Sequence, residues 1–354
     1  MTAYTRRRLI ASAKLGLAAA PFAVLLRLIH GDGSWMGGVL LGFSFGAMVG
    51  LLELFVLRGR GTRMSFLPHL ALKSVLFMTL AYGVFAVLNL LDVLIDGISW
   101  TAYAEALTSR STMVGLLEGL AIITVLLFAM QLDRLVGPGV LLKMVTGRYH
   151  RPRREERIFM FLDLKGSTGI AEHMEVERYL AFLRRYFAEM SEPILETNAE
   201  IYQYVGDEVV LTWEMRRGLE EANCVRAFFL IDAQLERSRE SFMEAFGVAP
   251  EFKAGLHAGE VVTAQIGDLK HEVIYSGAVL NTTARMEALC NQLGHRLLVS
   301  RDVVSHIHLG SGYEIEPLGV MPLRGKESEV ELFTIRPLDK TAASVVRTSP
   351  IERI

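Results

Sequence analysis

The sequence predicts a membrane unit of four transmembrane helices followed by a separate α+β unit, and three observations carry that expectation. Of 354 residues, 51% are hydrophobic and only 21% charged, which is too apolar for an ordinary soluble chain of this size. The apolar excess lies before residue 137, in windows long enough to cross a bilayer. From Ile158 onward the pattern changes to short β-like runs alternating with amphipathic helical ones. The net charge of −2 creates no overall field for a polyanion, so nucleic acid is not an expected partner, and the lipid bilayer is.

Crossing a hydrocarbon core takes about 20 apolar residues. The four windows run from Leu9 to Ile29, Trp35 to Leu57, Ser74 to Ile95 and Met113 to Leu135. Arg6, Arg7 and Arg8 precede the first window, but no small-residue cleavage site leads into a soluble chain, which reads as a retained anchor. Arg58, Arg60 and Arg63, then Lys143, Arg148, Arg151, Arg153 and Arg154, fall on the same side as Arg6 to Arg8 in a four-span topology. The opposite loops, 30 to 34 and 96 to 112, contain only Arg110 as Lys or Arg. By the positive-inside rule this is a multi-pass plasma (inner) membrane protein whose termini and α+β unit face the cytoplasm.

Within the spans, Arg27, Glu53 and Glu118 are ionisable; they either line a sensing pocket or snorkel to the helix ends. Gly37, Gly38, Gly42, Gly46 and Gly50 place small residues along the second span, suited to close helix contact within one chain or between two. The expected domains are 1 to 136 for the membrane unit, 137 to 157 for a basic connector, 158 to 337 for the α+β unit and 338 to 354 for a tail.

The α+β elements follow in order. A strand over 158 to 163 leads to an amphipathic helix at about 170 to 194, and strands 199 to 205 and 208 to 213 come next. A helix over 218 to 246 precedes strands 251 to 258 and 260 to 267, then a helix at 278 to 293. Strand 296 to 300 and a β pair around 313 to 336 close the unit. This βαββαβ order predicts a ferredoxin-like sheet with helices on one face.

Two aspartates end apolar β runs: Asp163 in Phe161-Leu-Asp-Leu-Lys-Gly-Ser-Thr168, and Asp207 in Tyr204-Val-Gly-Asp-Glu208. If strands 158 to 163 and 209 to 213 are neighbours, both carboxylates meet at one sheet edge and form a divalent-metal site for phosphate chemistry on a nucleoside triphosphate. The turn amides at Gly166, Ser167 and Thr168 suit a polyphosphate, and Asp before such a turn is also an ordinary helix cap. Asn281 and Arg285, four apart, share one helix face and either offer an amide and a permanent cation to a negative transition state or are an ordinary pair on an exposed face. Arg324 and Lys326 flank Gly325 as a late basic turn that either meets terminal phosphates or only closes a β turn. Cys224 and Cys290 have no ligand spacing and read as reduced structural thiols, and His257, His271, His306 and His308 read as structural.

These four segments together resemble the class III nucleotidyl cyclase catalytic domain over about residues 155 to 337. The resemblance rests on the strand and turn at Asp163, the hairpin Val205-Gly-Asp-Glu208, the helix segment Gly277-Ala-Val-Leu-Asn-Thr-Thr-Ala-Arg-Met286 and Leu323-Arg-Gly-Lys326, in that order. It implies a homodimer with two shared sites, in which Asp163, Leu164 and Asp207 of one chain hold two Mg²⁺ or Mn²⁺ ions and Asn281 and Arg285 reach in from the other. It further implies attack of the ribose 3′ hydroxyl on the α-phosphorus with release of pyrophosphate.

The chain departs from the family pattern where the base is chosen, with Gln203 and Ile274 at those positions. A Gln amide can serve either purine, and Ile274 offers only shape. With no Glu at 203 to hold guanine, the expected activity is adenylate cyclase; guanylate cyclase and a non-catalytic, cyclase-like membrane receptor are the alternatives.

Overall fold

The computed structural model describes residues 3–29, 35–52, 65–96, 99–137, 144, 146–322 and 329–338. It divides into two compact units, Met1–Leu141 and Leu142–Ile354.

In the first unit the described residues form α1 (Ala3–Ile29), α2 (Trp35–Leu51), α3 (Phe66–Asp96), α4 (Trp100–Thr108) and α5 (Arg110–Val136). Ser99 caps α4 by accepting from the Ala102 amide at 3.2 Å, and Ser109 caps α5 by accepting from Thr112 at 3.1 Å. Two stretches, Phe66–Val87 and Arg110–Asp133, are long and apolar enough to span a bilayer; Ser12–Leu25 and Gly42–Leu51 are shorter apolar helices. Residues 53 to 57 of the second predicted window, with Glu53, lie outside the described residues, as does the side chain of Arg27; Glu118 is half-buried.

The glycine stripe has an assigned partner. A Cβ on Gly42, Gly46 or Gly50 would stand 2.7 Å from Ala20, Ala19 or Ser12 of α1, so α2 lies against α1 of the same chain. Of the two readings of the stripe, packing within one protomer is what the structure shows. Val49, Leu70, Phe77, Ile123 and Leu127 form the small core of this unit, edged by Phe66 against Phe128 at 5.8 Å.

The second unit is built on one mixed sheet. Its elements are β1 (Arg153–Leu164), α6 (Ser167–Glu172), α7 (Val176–Glu196), β2 (Glu200–Val205), β3 (Glu208–Glu214), α8 (Met215–Leu219), α9 (Asn223–Arg237) and α10 (Arg239–Phe246). There follow β4 (Phe252–Ile266), β5 (Glu272–Ser276), α11 (Ala278–Leu293), β6 (Leu297–Ser300), α12 (Arg301–Val304), β7 (Tyr313–Pro322) and β8 (Glu329–Pro337). The strand order is β2-β3-β1-β4-β6-β8-β7, with β5 paired to β4 alone. Among the described strands only the β4–β6 pair is parallel.

Period-2 alternation in β1 divides the core. Ile158, Met160, Leu162 and Leu164 pack on Phe182, Tyr186 and Met190 of α7 and on Val225, Phe228 and Ile231 of α9. Phe159 and Phe161 face the other way, onto Val279, Leu280 and Ala284 of α11. Helices therefore cover both faces of the sheet, not one: α11 crosses to the face opposite α7 and α9.

Four further boundaries differ from the sequence expectation. Residues 153 to 157, read as connector, are strand, paired from Arg153↔Thr263 to Arg157↔Gly259. The predicted strands 251 to 258 and 260 to 267 are one, β4, because Gly259 marks a close approach to Val279 (2.8 Å from an added Cβ) rather than a turn. The helix expected over 218 to 246 is interrupted where Glu221 and Ala222 take positive φ and again at Ser238, while the helix of 170 to 194 is split at 173 to 175. The short strand β5 has no counterpart in the sequence reading.

Candidate active site

Asp163 is the penultimate residue of β1. The neighbour relation required of β1 and β3 holds: they pair antiparallel from Arg157↔Glu214 to Leu162↔Val209. Gly206 and Asp207 form the turn between β2 and β3, closed by Val205↔Glu208, and Gly206 has φ 62°, which glycine adopts without a Cβ penalty. Strand register and turn thus deliver Asp207 beside Asp163.

The two carboxyls interact directly. Burial raises the pKa of Asp163, the Lys253 ammonium beside it opposes this, and the neighbouring Asp207 carboxyl adds to it. Glu208 is pushed up to about 7 by burial, then by the charges of Glu287, Asp163 and Asp207, with Lys253 pulling the other way. Tyr186 rises well above its ordinary value through burial and then through the same two aspartates; Tyr179 shifts upward for the same reasons.

Lys253 and Glu287, absent from the sequence reading, complete this cluster. Lys253 Nζ lies 3.2 Å from Asp163 Oδ2 and 2.6 Å from Glu287 Oε1. Burial pulls Lys253 down, but its hydrogen bond and charge contact with Glu287, then those with Asp163, leave it raised. A lysine among the buried residues of a strand was the available signal, yet its meaning depends on which strand lies alongside.

The remaining predicted residues are placed as follows. Leu164 ends β1 and is buried. Gly166 has left-handed geometry (φ 71°, ψ 20°) as the cap of α6, whose first residues are Ser167 and Thr168. Gln203 is exposed in β2 next to a register shift, opposite Val210, and Ile274 is half-buried in β5 opposite Ala264. Arg324 and Lys326 lie outside the described residues.

Asn281 is exposed and Arg285 half-buried on α11. Among the described residues Arg285 has no carboxylate partner. At ~100° per residue, Glu287 leaves the helix roughly 200° round from Arg285. Since Glu287 turns toward Asp163 of its own chain through Lys253, Arg285 points away from it. The structure therefore unites Asp163 and Asp207, while within one chain Arg285 is directed away from them and Asn281 is exposed.

The donor set suits a hard dication. Asp207 Oδ2 is buried without a hydrogen-bond partner, and the acids around it are oxygen ligands whose mutual repulsion is offset here by one ammonium. Among the described residues no group of three or more His, Cys, Asp or Glu forms a ready cage, so any cation here relies on two carboxylates with backbone or substrate oxygens. A second buried cluster, also unforeseen, holds Arg157: its Nε donates to Thr212 Oγ1 at 3.1 Å, Nη2 to Glu200 at 2.7 Å, Nη1 to Glu155 at 3.2 Å, and its guanidinium lies 4.7 Å over Tyr275.

A family model described as the adenylate and guanylate cyclase catalytic domain matches residues 150–337. The chain is 36% identical over 210 residues to "Adenylate cyclase 2" of Rhizobium meliloti (strain 1021), covering 59% of this chain and 58% of that protein. It is 27% identical over 191 residues to "Adenylate cyclase 1" of the same strain, covering 51% and 28%. The chain thus spans less than two thirds of the length of these curated relatives. The solved structure of a bacterial light-regulated adenylyl cyclase superposes with a TM-score of 0.52 at 20% identity over 66% of this chain and 69% of that one, a likeness of fold.

Proposed function

The chain belongs to the adenylate and guanylate cyclase catalytic domain family, and on that premise we propose that it is a membrane-anchored adenylate cyclase converting ATP to 3′,5′-cyclic AMP and pyrophosphate in a homodimer. The observation that carries this reading is the meeting of Asp163 and Asp207 at the β1 and β2–β3 ends, with Asp207 Oδ2 buried and unpartnered. The adenylate cyclases among its relatives favour ATP over GTP.

Asp163, Asp207 and the Leu164 carbonyl would hold two Mg²⁺ or Mn²⁺ ions, which when bound polarise the attacking hydroxyl and neutralise charge on the phosphates. In the reaction the ribose 3′ oxygen gives up its proton to solvent and bonds to the α-phosphorus while the α–β bridging P–O bond breaks and its electron pair leaves with pyrophosphate. This chain's own residues supply position and charge. Arg285 of the second chain stabilises the α-phosphoryl charge, consistent with its direction away from its own aspartates, and Asn281 orients the ribose. The amides of Gly166, Ser167 and Thr168 receive phosphate, Arg324 and Lys326 meet its terminal end, and Gln203 with Ile274 lines the base.

Four spans, cytoplasmic termini and an inner-membrane location remain our reading of the first unit, supported by the two long apolar helices and by the α1–α2 packing. The decisive experiment is product identification from membranes given ATP or GTP with Mg²⁺ or Mn²⁺. Cyclic AMP from ATP is expected; cyclic GMP as the main product would transfer the reading to guanylate cyclase, and no cyclic nucleotide with either would overturn it.

A further inference from the structure

Lys253 faces Asp163 across the β1–β4 ladder and lies between two carboxylates, those of Asp163 and Glu287. Lys253 is 9% and Glu287 7% exposed, so neither charge is sustained by bulk water. Their anchoring is unequal. A Cβ on Gly255 would stand 2.6 Å from both the Glu287 amide and the Thr283 carbonyl, and Cys290 Sγ donates to the Ala254 carbonyl at 3.4 Å. Helix α11 is thereby seated closely on β4, which fixes the Glu287 backbone beside Lys253. The lysine ammonium, on its four-carbon stem, is the member that can move.

We propose that Lys253 is a positioning residue that serves as a resident cation for Asp163, yielding to a divalent ion and passing to Glu287 when that ion binds. The inference rests on the cyclase reading, specifically on Asp163 as a metal ligand. Its physical basis is charge. Lys253 Nζ lies 3.2 Å from Asp163 and 2.6 Å from Glu287, so without it an empty site would leave these two carboxylates facing each other with no cation between them. A dication on Asp163 repels the ammonium, and Glu287 at 2.6 Å keeps that ammonium paired instead of stranding it. Glu287 also sits two residues beyond Arg285, so the handover registers metal occupancy on the helix that carries the transition-state groups.

The test is Mn²⁺ affinity of the full-length protein in detergent, without nucleotide, read by electron paramagnetic resonance, with thermal melting as the check on folding. Lys253→Met removes the competing cation and is expected to tighten Mn²⁺ by about tenfold, the scale of one opposite charge within ion-pair distance. Glu287→Gln leaves the ammonium to Asp163 alone and is expected to weaken Mn²⁺ by about the same factor. Lys253→Arg keeps a cation between both acids and is expected to restore affinity to near wild type.

Opposite shifts in the two variants support the handover. If both shift the same way, or stay within about twofold of wild type, Lys253 is a structural ion pair and the inference falls. Should Lys253→Met not fold, the isosteric Glu287→Gln decides alone, and unchanged affinity there overturns it. Asp207→Asn is the control: if it binds Mn²⁺ as wild type does, the metal reading fails and the inference with it, whereas a weakened control beside unmoved Lys253 and Glu287 variants sinks only the handover.

Discussion

Among the described residues neither Arg285 nor Asn281 makes a side-chain hydrogen bond or ion pair, which makes Arg285 the cleanest residue to test. It is half-buried, has no carboxylate partner among the described residues, and lies four residues from exposed Asn281. Arg285→Ala should lower kcat by about 10²–10³, the usual cost of removing one preorganised charge from a transition state. Thermal melting should stay unchanged, and a fall in melting temperature matching the loss of cyclic AMP would reassign the arginine to structure. The legibility of the site divides at this scale. Asp163 and Asp207 were readable because each sits in a local signature, a strand end before a Gly-Ser-Thr turn and a Gly-Asp hairpin. Lys253 and Glu287 were not, because they meet Asp163 only through the 163↔253 register and the docking of α11, which no local pattern encodes.

Elements were legible in kind where one period dominated, as in β1, β3 and α11, and illegible where the period ran through a break. Apolar spacing continues across Glu221 and Ala222 although both have positive φ, so the pattern predicts a single helix over 218 to 246 where the end of α8, α9 and α10 stand. The placement of α11 on the opposite face was equally hidden, since Phe159 and Phe161 belong to a strand buried on both faces and show no polar side. Gly255 tests that placement. Gly255→Ala puts a methyl 2.6 Å from two backbone atoms of α11, and overpacking of this kind costs about 1–3 kcal/mol. Urea unfolding should show that loss, accompanied by a drop in kcat at saturating ATP because α11 carries Asn281 and Arg285. Unfolding indistinguishable from wild type would mean that the helix is not seated as described.

At the scale of the whole molecule two proposals can be separated experimentally, the number of spans and the sharing of sites. The loop at 30 to 34 faces outward if α1 and α2 both cross the bilayer, and inward if only α3 and α5 do. Asp32→Cys in intact cells should therefore label with a membrane-impermeant maleimide; native Cys224 and Cys290 are buried and give no background. Failure to label, with labelling after lysis, would reduce the topology to two spans.

Site sharing has a stricter arithmetic. Asp163→Ala and Arg285→Ala should each be inactive or nearly so as homodimers. When both chains are co-expressed in equal amounts, half of the dimers formed at random are mixed. In a mixed dimer one site carries both lesions and the other carries neither, because the Asp163 of one chain works with the Arg285 of its partner. Half of the dimers with half of their sites intact gives about a quarter of wild-type cyclic AMP synthesis, which a closed two-fold assembly requires. Recovery well below that fraction, with mixed dimers confirmed by differential tags, would place Asp163 and Arg285 in the same chain's site. That outcome would contradict the divergence of Arg285 and Glu287 around α11, so the complementation assay measures the orientation of that helix as directly as it measures the dimer.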